Sequence, residues 1–159
     1  MTSIDFRDIY SRFYTKVEAY DFLTLDDYQI EEFLCNWLHA SVAKPYVHEL
    51  FSSVVLEDDV GLLSYEMKYA FDEDTDMEFV TELLALGIGI EWLTPKVFSV
   101  VNTSNFFGSK EEKTFSPAAH LKTVQDALKL LKKEQRRIIA DRGYLRNSYT
   151  DGDVPVVRQ

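Results

Sequence analysis

The acidic run from Asp72 to Asp76 is the first pattern in the sequence that could perform chemistry, because it has the D-x-D-x-D spacing that opens a calcium-binding loop. The rest of such a loop is missing. Met77 stands where the tight turn needs glycine, and Leu83 stands where a bidentate glutamate is required. We therefore predict that this run, like the acidic run 57–59, is a solvated, helix-capping loop that holds no metal.

The histidines and the cysteine also give no sign of a catalytic or metal centre. His39, His48 and His120 form no ligand pair on one helix face, and His48 lacks the second histidine of an H-E-x-x-H zinc site. The single cysteine, Cys35, excludes an internal disulfide and a thiolate-based zinc site, and we interpret it as a small buried hydrophobe. The sequence has no nucleophile elbow, phosphate loop or dinucleotide-binding glycine motif. We expect no catalytic residue, no metal and no cofactor, and hence no enzyme.

Length and composition are those of one globular domain. The chain has 159 residues, of which 46% are hydrophobic and 28% charged, and these proportions exclude a disordered or low-complexity protein. No apolar run approaches the roughly 20 residues that cross a bilayer, so we expect no membrane association. We assign residues 3–143 to a single helical domain and residues 144–159 to an extended C-terminal tail.

Hydrophobic spacing predicts an all-α fold of about four helices. Apolar residues recur at helical intervals over residues 6–20 and again over 30–42. A third helix follows a T-x-x-E capping box at Thr75 and is apolar nearly all round as far as Leu93, so we expect it to be the long, buried centre of the fold. The stretch 57–75 is interpreted as loop with some extended structure.

Two glycines in the third helix predict where a neighbouring helix packs closely, and two polar residues in the fourth helix interrupt its apolar face. Gly87 and Gly89 lower helix propensity, and the usual compensation is the close approach of a neighbouring helix. The fourth helix is predicted to be long, over residues 117–142. Its heptad seam is interrupted by Gln135 and Arg142.

Phe106 and Phe107 lie side by side in the polar stretch 102–115, which predicts a protruding loop or hairpin with an apolar tip between the last two helices. Adjacent aromatic side chains are costly to expose, so the tip either contacts another subunit or folds back on its own core. We expect an assembly contact, to which Tyr144 and Tyr149 of the tail also contribute.

Charge is divided unevenly along the chain, whose net charge is −10. Residues 1–95 carry 20 acidic and 5 basic side chains, whereas residues 96–159 carry 7 acidic and 12 basic ones. Opposite potentials would steer copies of the chain into head-to-tail contact, but the basic helix could equally lie on the acidic helices of its own subunit. An acidic chain argues against nucleic-acid binding by this helix. Its predicted interface residues are Lys132, Lys133, Arg136 and Arg137.

Four segments together resemble the small helical head–tail connector (adaptor, or neck) proteins of long-tailed bacteriophages. They are the end of the second helix at 40–45, the glycine-containing apolar stretch 87–93, the segment 106–110, and the final helix where it runs into 141–144.

The resemblance implies a structural protein of the virion's head–tail junction, made in the host cytoplasm. It implies a ring, expected to contain twelve copies, that contacts the portal and the neighbouring neck or tail proteins. It also implies that DNA passes through the channel without specific binding, and that there is no enzymatic activity and no cofactor. A non-enzymatic regulatory protein–protein interaction module is the alternative.

Overall fold

The computed structural model describes residues 1–18, 20–106 and 117–145, and its fold is α+β, so the all-α prediction was wrong. The described residues form five α-helices and a three-stranded antiparallel sheet, and a 3₁₀ turn (Tyr20–Thr24) lies between the first two helices. In chain order the elements are β1 (Thr2–Asp5), α1 (Phe6–Tyr14), α2 (Asp27–Val42), α3 (Pro45–His48), β2 (Phe51–Glu57), β3 (Leu62–Met67), α4 (Glu73–Phe106) and α5 (Pro117–Leu145).

The sheet has the strand order β1–β3–β2, with both outer strands antiparallel to β3. The hairpin of β2 and β3 pairs Val54 with Tyr65, and β1 pairs Ser3 with Ser64. Leu63, Tyr65 and Met67 are buried because alternate residues of a strand point to the same face.

Residues 57–75 contain both loop and extended structure, as the sequence predicts, but the acidic run 57–59 does not cap a helix as expected. The acidic run 57–59 occupies the end of β2 and the turn after it, and the chain then enters β3. The turn ends at Gly61, whose φ of +67° is the left-handed conformation that glycine adopts without strain. Because acidic residues are concentrated in the hairpin turn, the two short strands beside it, β2 and β3, were not predicted as strands.

Helix α4 is the buried centre of the fold, as the sequence predicts. Every residue from Leu83 to Ile90 is buried, and α1, α2, α5 and β1 pack around the helix. The helix begins at Glu73, earlier than the predicted capping box, and the Asp72 carboxylate accepts a hydrogen bond from the Thr75 amide at 2.9 Å. The acidic run thus caps a helix, as expected.

Neighbouring helices approach α4 closely at Gly87 and Gly89. A Cβ at Gly87 would lie 1.7 Å from Oγ and 2.7 Å from Cβ of Ser41 on α2. A Cβ at Gly89 would lie 3.0 Å from Cδ1 of Leu131 on α5. The predicted close approach is confirmed at both glycines.

Gln135 does not interrupt the seam of α5 as predicted, because it is buried within it. The residue is 2% exposed. Its Nε2 donates to the backbone oxygen of Leu83 at 3.1 Å, and its Oε1 accepts from the Tyr46 hydroxyl at 3.2 Å. A buried amide with both ends bonded joins α5 to α4 and α3, whereas an unbonded one would be costly.

Arg142 also belongs to the seam, and it fastens the end of α5 to the start of α4. Its side chain is 10% exposed and forms an ion pair with the 7% exposed carboxylate of Asp76. It donates a further hydrogen bond to the Tyr69 backbone oxygen at 2.8 Å. The guanidinium carbon lies 4.6 Å from the ring centres of both Phe71 and Phe79. Helix α5 continues past this anchor to Leu145, so the predicted end at residue 142 was wrong.

Substitution of Gly87 tests the close packing of α2 on α4. We expect Gly87→Leu to lower the free energy of unfolding by about 1–3 kcal/mol or more through overpacking, although leucine has the higher helix propensity. The matched control is Gly143→Ala in α5, where no atom lies within 4 Å of the added Cβ. The control should be neutral or slightly stabilising in urea denaturation. A stabilised Gly87→Leu protein would contradict the close approach.

Substitution of Arg142 tests the anchor between α5 and α4. Arg142→Met leaves the Asp76 carboxylate buried without its partner, so we expect a loss of about 3–5 kcal/mol in the free energy of unfolding. Arg142→Lys should recover only part of this loss, because lysine keeps the charge but not the planar group between two rings. Arg137→Met, at an exposed position of the same helix, is the control and should change stability little. If Arg142→Met and Arg137→Met lowered the free energy of unfolding equally, the contacts of Arg142 with Asp76 and the two rings would not stabilise the fold more than an exposed ion pair does.

Candidate subunit interface

Helix α5 has an apolar face that packs on α4 and an outer face that carries basic side chains. The packed residues follow the heptad spacing that the sequence predicts: Val124, Leu128, Leu131 and Ile138. The outer residues are all exposed and are called here the basic face of α5: Lys129, Lys132, Lys133, Arg136 and Arg137. Leu130 is 64% exposed beside them.

Most of this charge has no ion-pair partner among the residues that the structure describes. Across the residues that the structure describes, Lys129, Lys132, Lys133 and Arg136 form no ion pair, and Arg137 pairs with Glu134 of its own helix. Among the described residues of α5, Arg142 pairs with an acid from the first half of the chain, Asp76. Arg142 lies outside the basic face. Within the described residues, the basic face therefore forms no ion pair with the acidic helices of its own subunit.

Three acidic side chains of α4, those of Glu78, Glu82 and Glu91, pair with bases on α1, just after it, and just before α3. Arg12 pairs with Glu78 at 2.6 Å and with Glu82 at 3.2 Å, and Lys16 also contacts Glu82. Lys44 pairs with Glu91 at 2.7 Å. The hydrogen bond from Arg12 holds the pKa of Glu78 below its usual value. These acids are already used within the fold and are not available to a partner.

The start of α2 presents a second charged surface, of opposite sign. We call it the acidic face of α2. Its carboxylates are exposed and form no ion pair within the described part of the chain: Asp27, Glu31 and Glu32. Two apolar side chains beside them are among the most exposed in the described residues, Leu23 at 82% and Tyr28 at 76%. Exposed aromatic and aliphatic groups among charges are typical of protein–protein interfaces.

A stack of aromatic rings holds this surface in place. Phe33, which is 44% exposed, stacks on Trp37 with ring centres 5.7 Å apart, and Trp37 stacks on Phe22 at 6.0 Å. Tyr14 of α1 packs edge-on against Phe22 at 6.1 Å. The stack joins α1, the 3₁₀ turn and α2, so the exposed groups of this face are positioned before any partner arrives. Pre-positioning of this kind lowers the entropic cost of association.

The other predicted interface residues are only partly described. Phe106 is the last residue of α4, so the prediction that it stands in a loop with its neighbour was wrong. Phe107, Tyr149 and the tip of the predicted loop lie outside the described residues. Tyr144 lies near the end of α5 and is 76% exposed.

The structure also brings together three residues that the sequence analysis did not connect. Cys35 and His39 lie one turn apart on α2, and His39 Nε2 is 2.8 Å from Oδ1 of Asp58 in the β2–β3 turn. Burial raises the pKa of the Cys35 thiol, and the Asp58 carboxylate raises it further. Cys35 is thus a half-buried neighbour of polar groups and not the simple buried hydrophobe that we expected. The C-x-x-x-H spacing on a helix was the available signal, and it was missed because Asp58 is distant in sequence.

No family model, curated protein or solved structure matches this chain. Among the helices that the structure describes, none combines the length and the apolar character needed to span a membrane.

Proposed function

We propose that this protein is a ring-forming structural subunit of the head–tail connector in a long-tailed bacteriophage. The observation that carries the proposal is the presence, on one chain, of two complementary charged faces with little internal pairing. The basic face of α5 and the acidic face of α2 lie on different helices, and each is largely without ion-pair partners in the described residues.

Two different faces that complement each other make a head-to-tail contact between identical copies. Such a heterologous contact repeats from copy to copy and generates a closed ring when the rotation between neighbours divides a full turn. Opposite potentials would steer the encounter, and the exposed Leu23, Tyr28 and Leu130 supply apolar area that screening by salt does not weaken.

The resemblance noted in the sequence supports the connector role in particular. It covers the second helix, the glycine-containing helix that the structure buries, and the final helix that carries the basic face. In this role the subunit has no catalytic activity and no cofactor, and it resides in the virion. It binds its own copies, in a ring expected to contain twelve, and it binds the portal and the adjacent neck or tail proteins.

The acidity of the chain suits a ring through which DNA passes. Each chain carries a net charge of −10, so a ring of such chains repels phosphate overall and the duplex moves through without being held. A tight DNA contact would oppose passage, and the basic face of α5 is assigned to neighbouring subunits instead.

A charge-swap experiment tests the contact between copies. The first variant changes Lys132, Lys133, Arg136 and Arg137 to Glu, and the second changes Asp27, Glu31 and Glu32 to Lys. Each variant alone should fold but fail to form rings, because each places like charges across the contact. An equimolar mixture should assemble, because each subunit then meets a neighbour of opposite charge. Mass from light scattering, measured with and without the portal, reports assembly, and circular dichroism reports folding.

The matched control for the swap reverses Asp8, Glu49 and Glu66, which are exposed acids outside the acidic face of α2. This control should assemble as the wild type does. If the wild type assembled and the mixture did not, the proposed contact between the basic face of α5 and the acidic face of α2 would be wrong. A wild type that stays a monomer or dimer even with the portal present would overturn the connector proposal and favour a regulatory interaction module.

A DNA-binding measurement tests the assignment of the basic face independently of assembly. We expect no measurable binding of duplex DNA at physiological salt, by fluorescence anisotropy with a labelled duplex. Tight, salt-sensitive binding that the variant with four glutamates on α5 loses would instead identify a nucleic-acid-binding protein.

A further inference from the structure

The side chains of Cys35, His39 and Asp58 form a compact group of three different metal-ligating atoms. The thiol sulfur, an imidazole nitrogen and a carboxylate oxygen all lie within 4.8 Å of one another. The group lies outside the basic face of α5, and none of its three residues is assigned to the ring contact, although Glu31 of the acidic face lies one turn before Cys35 on α2. The sequence predicts neither a thiolate-based zinc site nor a metal at the run 57–59, but the fold combines the single cysteine with a histidine and with Asp58 of that run.

The fold holds these three residues together through the backbone of two elements. Cys35 and His39 are four residues apart on α2, which places them on the same side of the helix in successive turns. Asp58 begins the β2–β3 turn, in which the Gly61 amide donates to the Glu57 oxygen at 2.9 Å. The Gly61 oxygen in turn accepts from the Phe6 amide at 2.8 Å, which fastens the turn to the start of α1.

The donor set selects a particular kind of ion. Calcium and magnesium take oxygen ligands, whereas a set of sulfur, imidazole and carboxylate suits zinc. In tetrahedral zinc sites, metal–ligand bonds of about 2.0–2.3 Å place the ligand atoms roughly 3.3–3.8 Å apart. The His39 and Asp58 side chains are 43% and 54% exposed, so small rotations can bring the three atoms to these separations.

The surroundings of the group are acidic. Burial raises the pKa of the half-buried Tyr10 hydroxyl, and the Cys35 side chain and the carboxylates of Glu31, Asp58 and Asp5 raise it further. A concentration of negative groups around one hydroxyl attracts a divalent cation to the same place.

We infer that Cys35, His39 and Asp58 bind one zinc ion, with a fourth coordination position open to water, and that the bound ion fastens the β2–β3 turn to α2. Binding releases the thiol proton to solvent, since the thiolate is the form that ligates zinc. The competing explanation is that the His39–Asp58 pair alone holds the turn, with no metal bound.

Metal binding by the full-length chain under reducing conditions separates the two explanations. We expect one equivalent of Zn²⁺ to bind by calorimetry and to raise the melting temperature. Co²⁺ used as a spectroscopic probe should give the near-ultraviolet thiolate-to-cobalt transition together with the visible bands of tetrahedral cobalt. Cys35→Ser should abolish the thiolate transition, and His39→Asn and Asp58→Asn should each weaken binding about tenfold or more.

His48→Asn provides the matched control, because His48 is exposed on α3 outside the group. It should leave stoichiometry, affinity and the cobalt spectrum unchanged. The inference is overturned if the wild type binds no stoichiometric metal, if the thiolate transition is absent, or if folded Cys35→Ser binds Zn²⁺ as tightly as the wild type does.

Discussion

The burial of residues 83–90 of helix α4 on all sides is the constraint on which the rest of the structure depends. A helix that is apolar all round must be covered all round, and here α1, α2, α5 and the sheet cover it. Because Gly87 has no side chain, Ser41 of α2 packs directly against the backbone of α4. Leu131 of α5 packs in the same way against Gly89. With the apolar face of α5 committed to α4, the basic residues of α5 are left facing outward.

The sequence predicted the long helices well, but it predicted the sheet only as some extended structure within residues 57–75. Helices α2, α4 and α5 each carry several turns of periodic apolar residues, so one face could be recognised over a long stretch. The strands offer six or seven residues at most, β2 contains an irregularity between Phe51 and Ser53, and β1 runs directly into α1. Gln135 and Arg142 were misjudged because their polar groups find partners on α3 and α4, which spacing along α5 does not reveal.

The two candidate sites differ in how much of each can be predicted from the sequence. The basic face of α5 follows from a count of charges on a predicted helix, and the structure adds that those charges are largely unpaired within the described residues. Which acids remain for a partner depends on the ion pairs of Arg12, Lys16 and Lys44, and these pairs exist only in the folded chain. The group of Cys35, His39 and Asp58 likewise depends on the docking of a hairpin turn against a helix.

The position of β1 has a consequence for the order of folding. Its residues pair with β3 across about sixty intervening residues, as in the contact of 2.9 Å between the hydroxyls of Ser3 and Ser64. The β2–β3 hairpin and the α2 turns close over short segments and gain their contacts early, whereas β1 must close a long loop first. During synthesis, β1 is made before β3 and waits for β3 to emerge, so the sheet is completed by a strand that was made earlier than both of its other strands.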